Sequence, residues 1–183
     1  MTYYGPKELA AAFRTVRKNT IQIGEDIPEA DYGYRVTPET RSVAETLVHM
    51  AVTTRFPEQA HIVERRSTME GFDFPALFAK LTAEEKAPRS KSEILELLRS
   101  EGEKFAQALE GLPEDALAER VSLAAGMVPP DKSRFEMLLG PKEHEMHHRA
   151  QLMVVERLLG ITPHLTRQMQ ERMAAMKAAQ AAA

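Results

Sequence analysis

Three of the chain's six histidines fall in one tract, KEHEMHHRAQL, as His144, His147 and His148. Neutral imidazole binds transition metals and exchanges protons near neutral pH, so a cluster of this kind is where chemistry is to be sought first. On a helix His144 and His148 lie one turn apart, about 40° apart in projection, and both rings can reach one ion. His144 and His147, at i,i+3, offer the same chemistry. The surrounding apolar stripe separates the two pairs. Met137, Leu152, Val155 and Leu159 mark an inward face. His148 falls near its middle, His144 at its edge, and His147 about 100° further round toward solvent. The phase therefore predicts His144 and His148 as the inward pair. Rings on an apolar face need partners, either a metal or a carbonyl or carboxylate.

A distant histidine, His49, belongs to a second stripe of Glu45, His49, Val52 and Phe56. It is either a core histidine satisfied locally or the third ligand of a site built from two facing helices. Three neutral imidazoles suit Zn²⁺, Ni²⁺ or Fe²⁺ and leave a coordination position for water or substrate. Glu45, one turn before His49, is the candidate catalytic residue: it would orient a ligand or accept a proton, or else be a solvated helix charge. Glu145 and Gln151 read as supporting groups or surface residues. His61 and His164 lack helical partners and read as surface residues. Two Glu-x-x-His pairs, Glu58/His61 and Glu145/His148, have the spacing of carboxylate di-iron bundles, but the further inward glutamates of such sites are not evident. There is no H-E-x-x-H, no glycine-rich phosphate loop, no G-x-S-x-G and no dinucleotide fingerprint.

Composition narrows the classes. The formal net charge of -3 leaves no basic excess for a phosphate backbone, so nucleic acid is not an expected partner. Cysteine is absent, which removes disulfides, thiol nucleophiles and thiolate metal sites together and fits a cytoplasmic location. No stretch approaches the roughly 20 apolar residues that span a bilayer, and the N-terminal residues lack a signal-peptide pattern, so no membrane association is expected. Ten methionines and no tryptophan favour a Leu/Met/Ala-packed helical core. The 183 residues suit a single domain over 1–183.

The positioning elements are four long helical patterns. The first runs from about Pro6 to Gly24, with Leu9, Ala12, Phe13, Val16 and Ile23 at helical spacing. The second is predicted to start near Pro38, capped by Thr37, and to run toward Arg66 with a kink or break at Pro57. Residues 67–89 read as a short helix or packed loop able to wall a site. The third helix starts at Ser90 or Ser92 and ends near Gly111. A long irregular connection comes next, in which AERVSLAAGM could be extended. The fourth helix begins at Asp131/Ser133 or restarts at Pro141, and stops before Gly160. A further helix, about 165–183, forms a C-terminal extension.

The segments RSVAETLVHM and EHEMHHRAQLMVVERLLGITP resemble the DinB-like (DinB/YfiT) superfamily. The first segment holds a histidine near its end, and the second holds H-x-x-x-H, H-R-x-Q-L and Gly-x-x-Pro. The resemblance covers most of the chain and implies an all-α four-helix bundle of up-down-down-up type. It also implies a metal held by one histidine of the second helix and two of the fourth, here His49, His144 and His148. Similar proteins include S-transferases and isomerases that use a low-molecular-weight thiol. The resemblance thus implies a metal-dependent enzyme acting on a small molecule by hydrolysis or S-transfer, and a homodimer is the expected assembly. The alternative is a non-catalytic, stress-associated bundle that works through binding or dimerisation. Ala150, where the family often has Gly, and Pro141 close to His144 are departures from its pattern.

Overall fold

Three of the bundle's helices begin on the same local device. Ser42, Ser90 and Ser133 each accept the amide of the residue three further on, and Glu45, Glu93 and Glu136 reach back to the serine's own amide. These reciprocal boxes satisfy amides that a helix start leaves unpaired. The structure is a computed structural model and describes residues 4–181. It contains α1 (Pro6–Asp26), α2 (Val43–Val52), α3 (Phe74–Lys86), α4 (Lys91–Glu110), α5 (Arg134–Leu158) and α6 (His164–Ala181). Two short strands, β1 (Arg120–Ser122) and β2 (Asp131–Ser133), pair antiparallel within the irregular connection. Residues 182–183 of the predicted C-terminal helix lie outside the described residues.

One boundary differs from the sequence reading, and one of its alternatives is decided. The second helix does not start at Pro38. Thr37–Thr40 closes into a turn in which Thr40 donates from N (3.1 Å) and Oγ1 (2.8 Å) to the Thr37 carbonyl. The box at Ser42 then starts α2. At its other end the pattern through Pro57 breaks rather than kinks. α2 stops at Val52, a single turn covers Arg55–Pro57, and a wide π turn covers Glu58–Val63. Pro141, by contrast, is carried inside one continuous α5. Its missing N–H costs that helix one hydrogen bond without ending it.

Helix directions come from the cross-contacts. Along α1, Arg14 pairs with Glu103 and Glu110, Glu25 with Arg99, and the Ile27 carbonyl with Lys91, so α1 and α4 are antiparallel. Tyr4 stacks edge-on against Phe135 and Arg17 pairs with Glu145, so α1 and α5 are parallel. Arg17 joins the Met50 and Leu98 carbonyls and Arg55 pairs with Glu101, so α2 and α4 are parallel. The order is up, down, down, up. Because α2 and α4 run the same way, the chain must cross the length of the bundle between them, and α3 lies in that crossover, packed on α2.

Two apolar clusters fill the bundle. One gathers Ile23, Leu47, Val48, Ile94, Leu98, Leu152 and Val155, the other Leu9, Phe13, Phe105, Leu109 and Leu138. Between them sits a buried ion pair. Arg17 donates from Nε to both Glu145 oxygens (2.9 and 3.0 Å) and from Nη2 to Oε2 (2.9 Å). Its remaining donors go to the Leu98 carbonyl (2.7 Å) and the Met50 carbonyl (2.9 Å). Gly102 makes room for this side chain, since a Cβ there would lie 2.8 Å from Arg17 Cγ. Glu145, open in the sequence as a supporting or surface residue, is thus a buried core group. No helix of the described residues is long and apolar enough to cross a membrane.

Candidate metal centre

Antiparallel α2 and α5 bring His49 against His144 and His148. The ring centroids are 4.9 Å apart for 49/144, 4.8 Å for 49/148 and 4.6 Å for 144/148. His49 Nε2 lies 3.1 Å from His144 Nε2, and His148 Nε2 lies 3.1 Å from the same atom. One ligand nitrogen from each ring falls within 4.8 Å of the others. A tetrahedral ion with Zn–N bonds of about 2.05 Å would place its nitrogens roughly 3.3 Å apart; the two 3.1 Å spacings about His144 match this, and all three nitrogens lie within 4.8 Å of one another. His147 is exposed, as helix phase predicts, and accepts a hydrogen bond from Gln151 Nε2 at 3.1 Å.

The proton arrangement points the same way. His49 Nδ1 is 2.7 Å from Glu85 Oε1 and His148 Nδ1 is 2.8 Å from Gln151 Oε1. Both partners are acceptors, so both Nδ1 atoms carry the hydrogen and both Nε2 atoms present bare lone pairs. His144 Nε2 has at most one proton to offer its two neighbours. At least one contact therefore sets lone pair against lone pair, which a cation relieves. Burial, the largest influence on each ring, drives all three below their ordinary value, His144 to about 4. The rings are neutral at pH 7 and ready to ligate.

The carboxylate on His49 is Glu85 of α3, a residue the sequence reading missed. That reading offers Glu45 for orienting a ligand or accepting a proton, or as a solvated charge; the carboxylate on the ring is Glu85, not Glu45. Glu45 Oε2 accepts the Ser42 amide at 2.8 Å and Oε1 accepts Arg35 Nη2 at 2.7 Å. Arg35 holds its carboxyl below the usual range, which makes it a weaker base. Glu45 is a helix-capping residue that lines the cleft beside the histidines. That cleft has a volume of about 1050 Å³ and is also lined by Arg41, Glu85, Lys86, His148 and Gln151.

The remaining histidines depart from expectation. His61 and His164 are buried, at 0% and 4% exposure, rather than on the surface. His61 meets the edge of Phe56 and His164 Nε2 lies 3.2 Å from Asn19 Oδ1. Neither glutamate of the two Glu-x-x-His pairs takes part in the site, since Glu58 pairs with Lys104 and Glu145 with Arg17.

Residues 12–152 match the DinB superfamily. This chain belongs to the DinB superfamily. Comparison with curated proteins yields no significant match. Among solved structures, the DinB-like protein YjoA of Bacillus subtilis is 22% identical, with a TM-score of 0.63 over 85% of this chain and 94% of that one. YfiT of Bacillus subtilis is described as a probable metal-dependent hydrolase with an unusual four-helix bundle topology. It is 14% identical, with a TM-score of 0.66 over 88% of this chain and 91% of its own. A mycothiol-dependent maleylpyruvate isomerase is 14% identical, with a TM-score of 0.62 over 83% of this chain and 63% of that one. At these identities the likeness establishes the shared bundle fold.

Proposed function

We propose that the chain is a metal-dependent enzyme in which His49, His144 and His148 hold one divalent cation through Nε2, for hydrolysis of, or S-transfer to, a small electrophile. The observation that carries this reading is the convergence of three neutral Nε2 atoms, two of them with Nδ1 already committed to acceptors. A divalent ion with three protein ligands supplies Lewis acidity and makes a nucleophile of water or a low-molecular-weight thiol near neutral pH. Zn²⁺, Ni²⁺ and Fe²⁺ all suit an all-imidazole set. Glu85 fixes the tautomer and tilt of His49, and Gln151 those of His148. The cleft admits a small molecule beside His148. Hydrolysis and thiol use are the activities named for YfiT and the isomerase respectively, and they set the substrates worth trying.

The test is a turnover screen of metal-loaded protein against simple esters and amides, and against thiol plus electrophile pairs. Turnover that falls at least a hundredfold on chelation and in His148→Ala is expected. Metal-loaded protein inert toward every pair would overturn the enzymatic reading.

A further inference from the structure

The cleft wall beside His148 carries cations that the histidine cluster does not use. Arg41 donates through Nε to Glu85 Oε2 at 2.7 Å. Among the described residues its Nη1 and Nη2 have no hydrogen-bond partner, and 42% of the side chain is exposed. Lys86, the next residue after Glu85, lines the same cleft, is exposed and has no hydrogen-bonded or ion-paired partner among the described residues. The acids of that wall are engaged. Glu85 is shared by His49 and Arg41, Glu45 by Arg35 and the Ser42 amide, and Glu39 turns back on Thr37 and its own backbone. Arg41 stands close enough for its charge to act against protonation of all three metal-site rings.

We propose that Arg41, with Lys86, forms an anion subsite that takes the carboxylate of a small organic acid whose reacting end lies at the histidines. The inference rests on the enzymatic reading above and names its substrate class. A guanidinium bound only through Nε keeps a planar pair of donors that matches a carboxylate in bidentate fashion. Glu85 holds that fork in place before a ligand arrives, so less side-chain entropy is lost on binding. Val43, Leu152 and Val155 on the same cleft give the acid's apolar body a surface to cover. One fork and one lysine suit a single negative charge, and the nearby Glu39 and Glu45 disfavour a dianion.

The test is calorimetric titration of metal-loaded full-length protein with benzoate, benzamide and inorganic phosphate, in the native chain, Arg41→Gln and Lys86→Gln, with metal content measured in each. Benzoate is expected to bind at least tenfold more tightly than benzamide and more tightly than phosphate. It should weaken at least tenfold in Arg41→Gln and threefold in Lys86→Gln, with metal content unchanged. Benzoate affinity equal to native in both variants would place the carboxylate on the metal alone and overturn the proposal, as would equal binding of benzamide or tighter binding of phosphate. Because Arg41 touches Glu85, loss of metal in Arg41→Gln passes the decision to Lys86→Gln. If the native chain binds no metal, the enzymatic reading fails by itself. An Arg41- and Lys86-dependent affinity for benzoate on the metal-free chain would then still support the subsite, and its absence would overturn it.

Discussion

His61 sits at 0% exposure with neither ring nitrogen bonded to any described residue. Burial first, and the Arg134 charge second, push its pKa down to about 4. In the unfolded chain the ring titrates near 6.5, so below that pH the unfolded state takes up a proton that the folded state refuses. Stability is therefore highest above pH 6.5 and falls as pH drops toward 4, by about 3 kcal/mol in total for this one group. His61→Leu removes a polar group that finds no partner, and urea unfolding should show it equal to or more stable than the native chain at pH 7. Its advantage should grow by about 2 kcal/mol at pH 5. An advantage that does not change with pH would contradict this assignment. The sequence read His61 as a surface residue because its burial comes from the π turn, the Phe56 ring and Arg134 of a distant helix, none of which is a periodic pattern. His144 and His148 were legible because helix phase alone turns them inward. Glu85 was not, since Ala83-Glu84-Glu85-Lys86 reads as a solvated charge run until α3 is laid across α2.

Between elements, the joint with most consequence is Arg17. It ties α1 to the Glu145 carboxylate of α5, to Leu98 of α4 and to Met50 in the last turn of α2, where carbonyls lack helical amides. Burying such a pair is costly, and removing one partner strands the other. Arg17→Met should lower unfolding free energy by about 3–5 kcal/mol in denaturant melts. Arg17→Met combined with Glu145→Met should recover part of that loss, because no charge is stranded, but not all of it, because the two carbonyls still lose their donor. A single variant that melts like the native chain would refute this role. Element ends were legible where a serine and a glutamate sit three apart, as at Ser90 and Ser133. They were misread at α2, where Thr37-Pro38-Glu39 imitates a start five residues before the true box. Glu45 belongs to that box: a glutamate one turn before a histidine suits both catalysis and capping, and its bonds to Ser42 and Arg35 show the capping role.

Across the whole molecule, the up-down-down-up order makes the site possible. It sets α2 antiparallel against α5, so histidines 95 residues apart in sequence meet at 3.1 Å. It also forces the α2–α4 crossover whose helix carries Glu85. That global arrangement came from the resemblance of the two histidine segments to a family, not from periodicity, since four amphipathic helices alone are compatible with several orders. A cation between the three Nε2 atoms is what would make this bundle reactive. The most direct measurement is metal content by plasma mass spectrometry after purification and equilibration with Zn²⁺, for the native chain and for His49→Ala, His144→Ala, His148→Ala and His147→Ala. The expected result is about one equivalent in the native chain and in His147→Ala, with at least a tenfold loss of affinity in each of the other three. No bound metal in the native chain, or full binding after loss of His148, would contradict it.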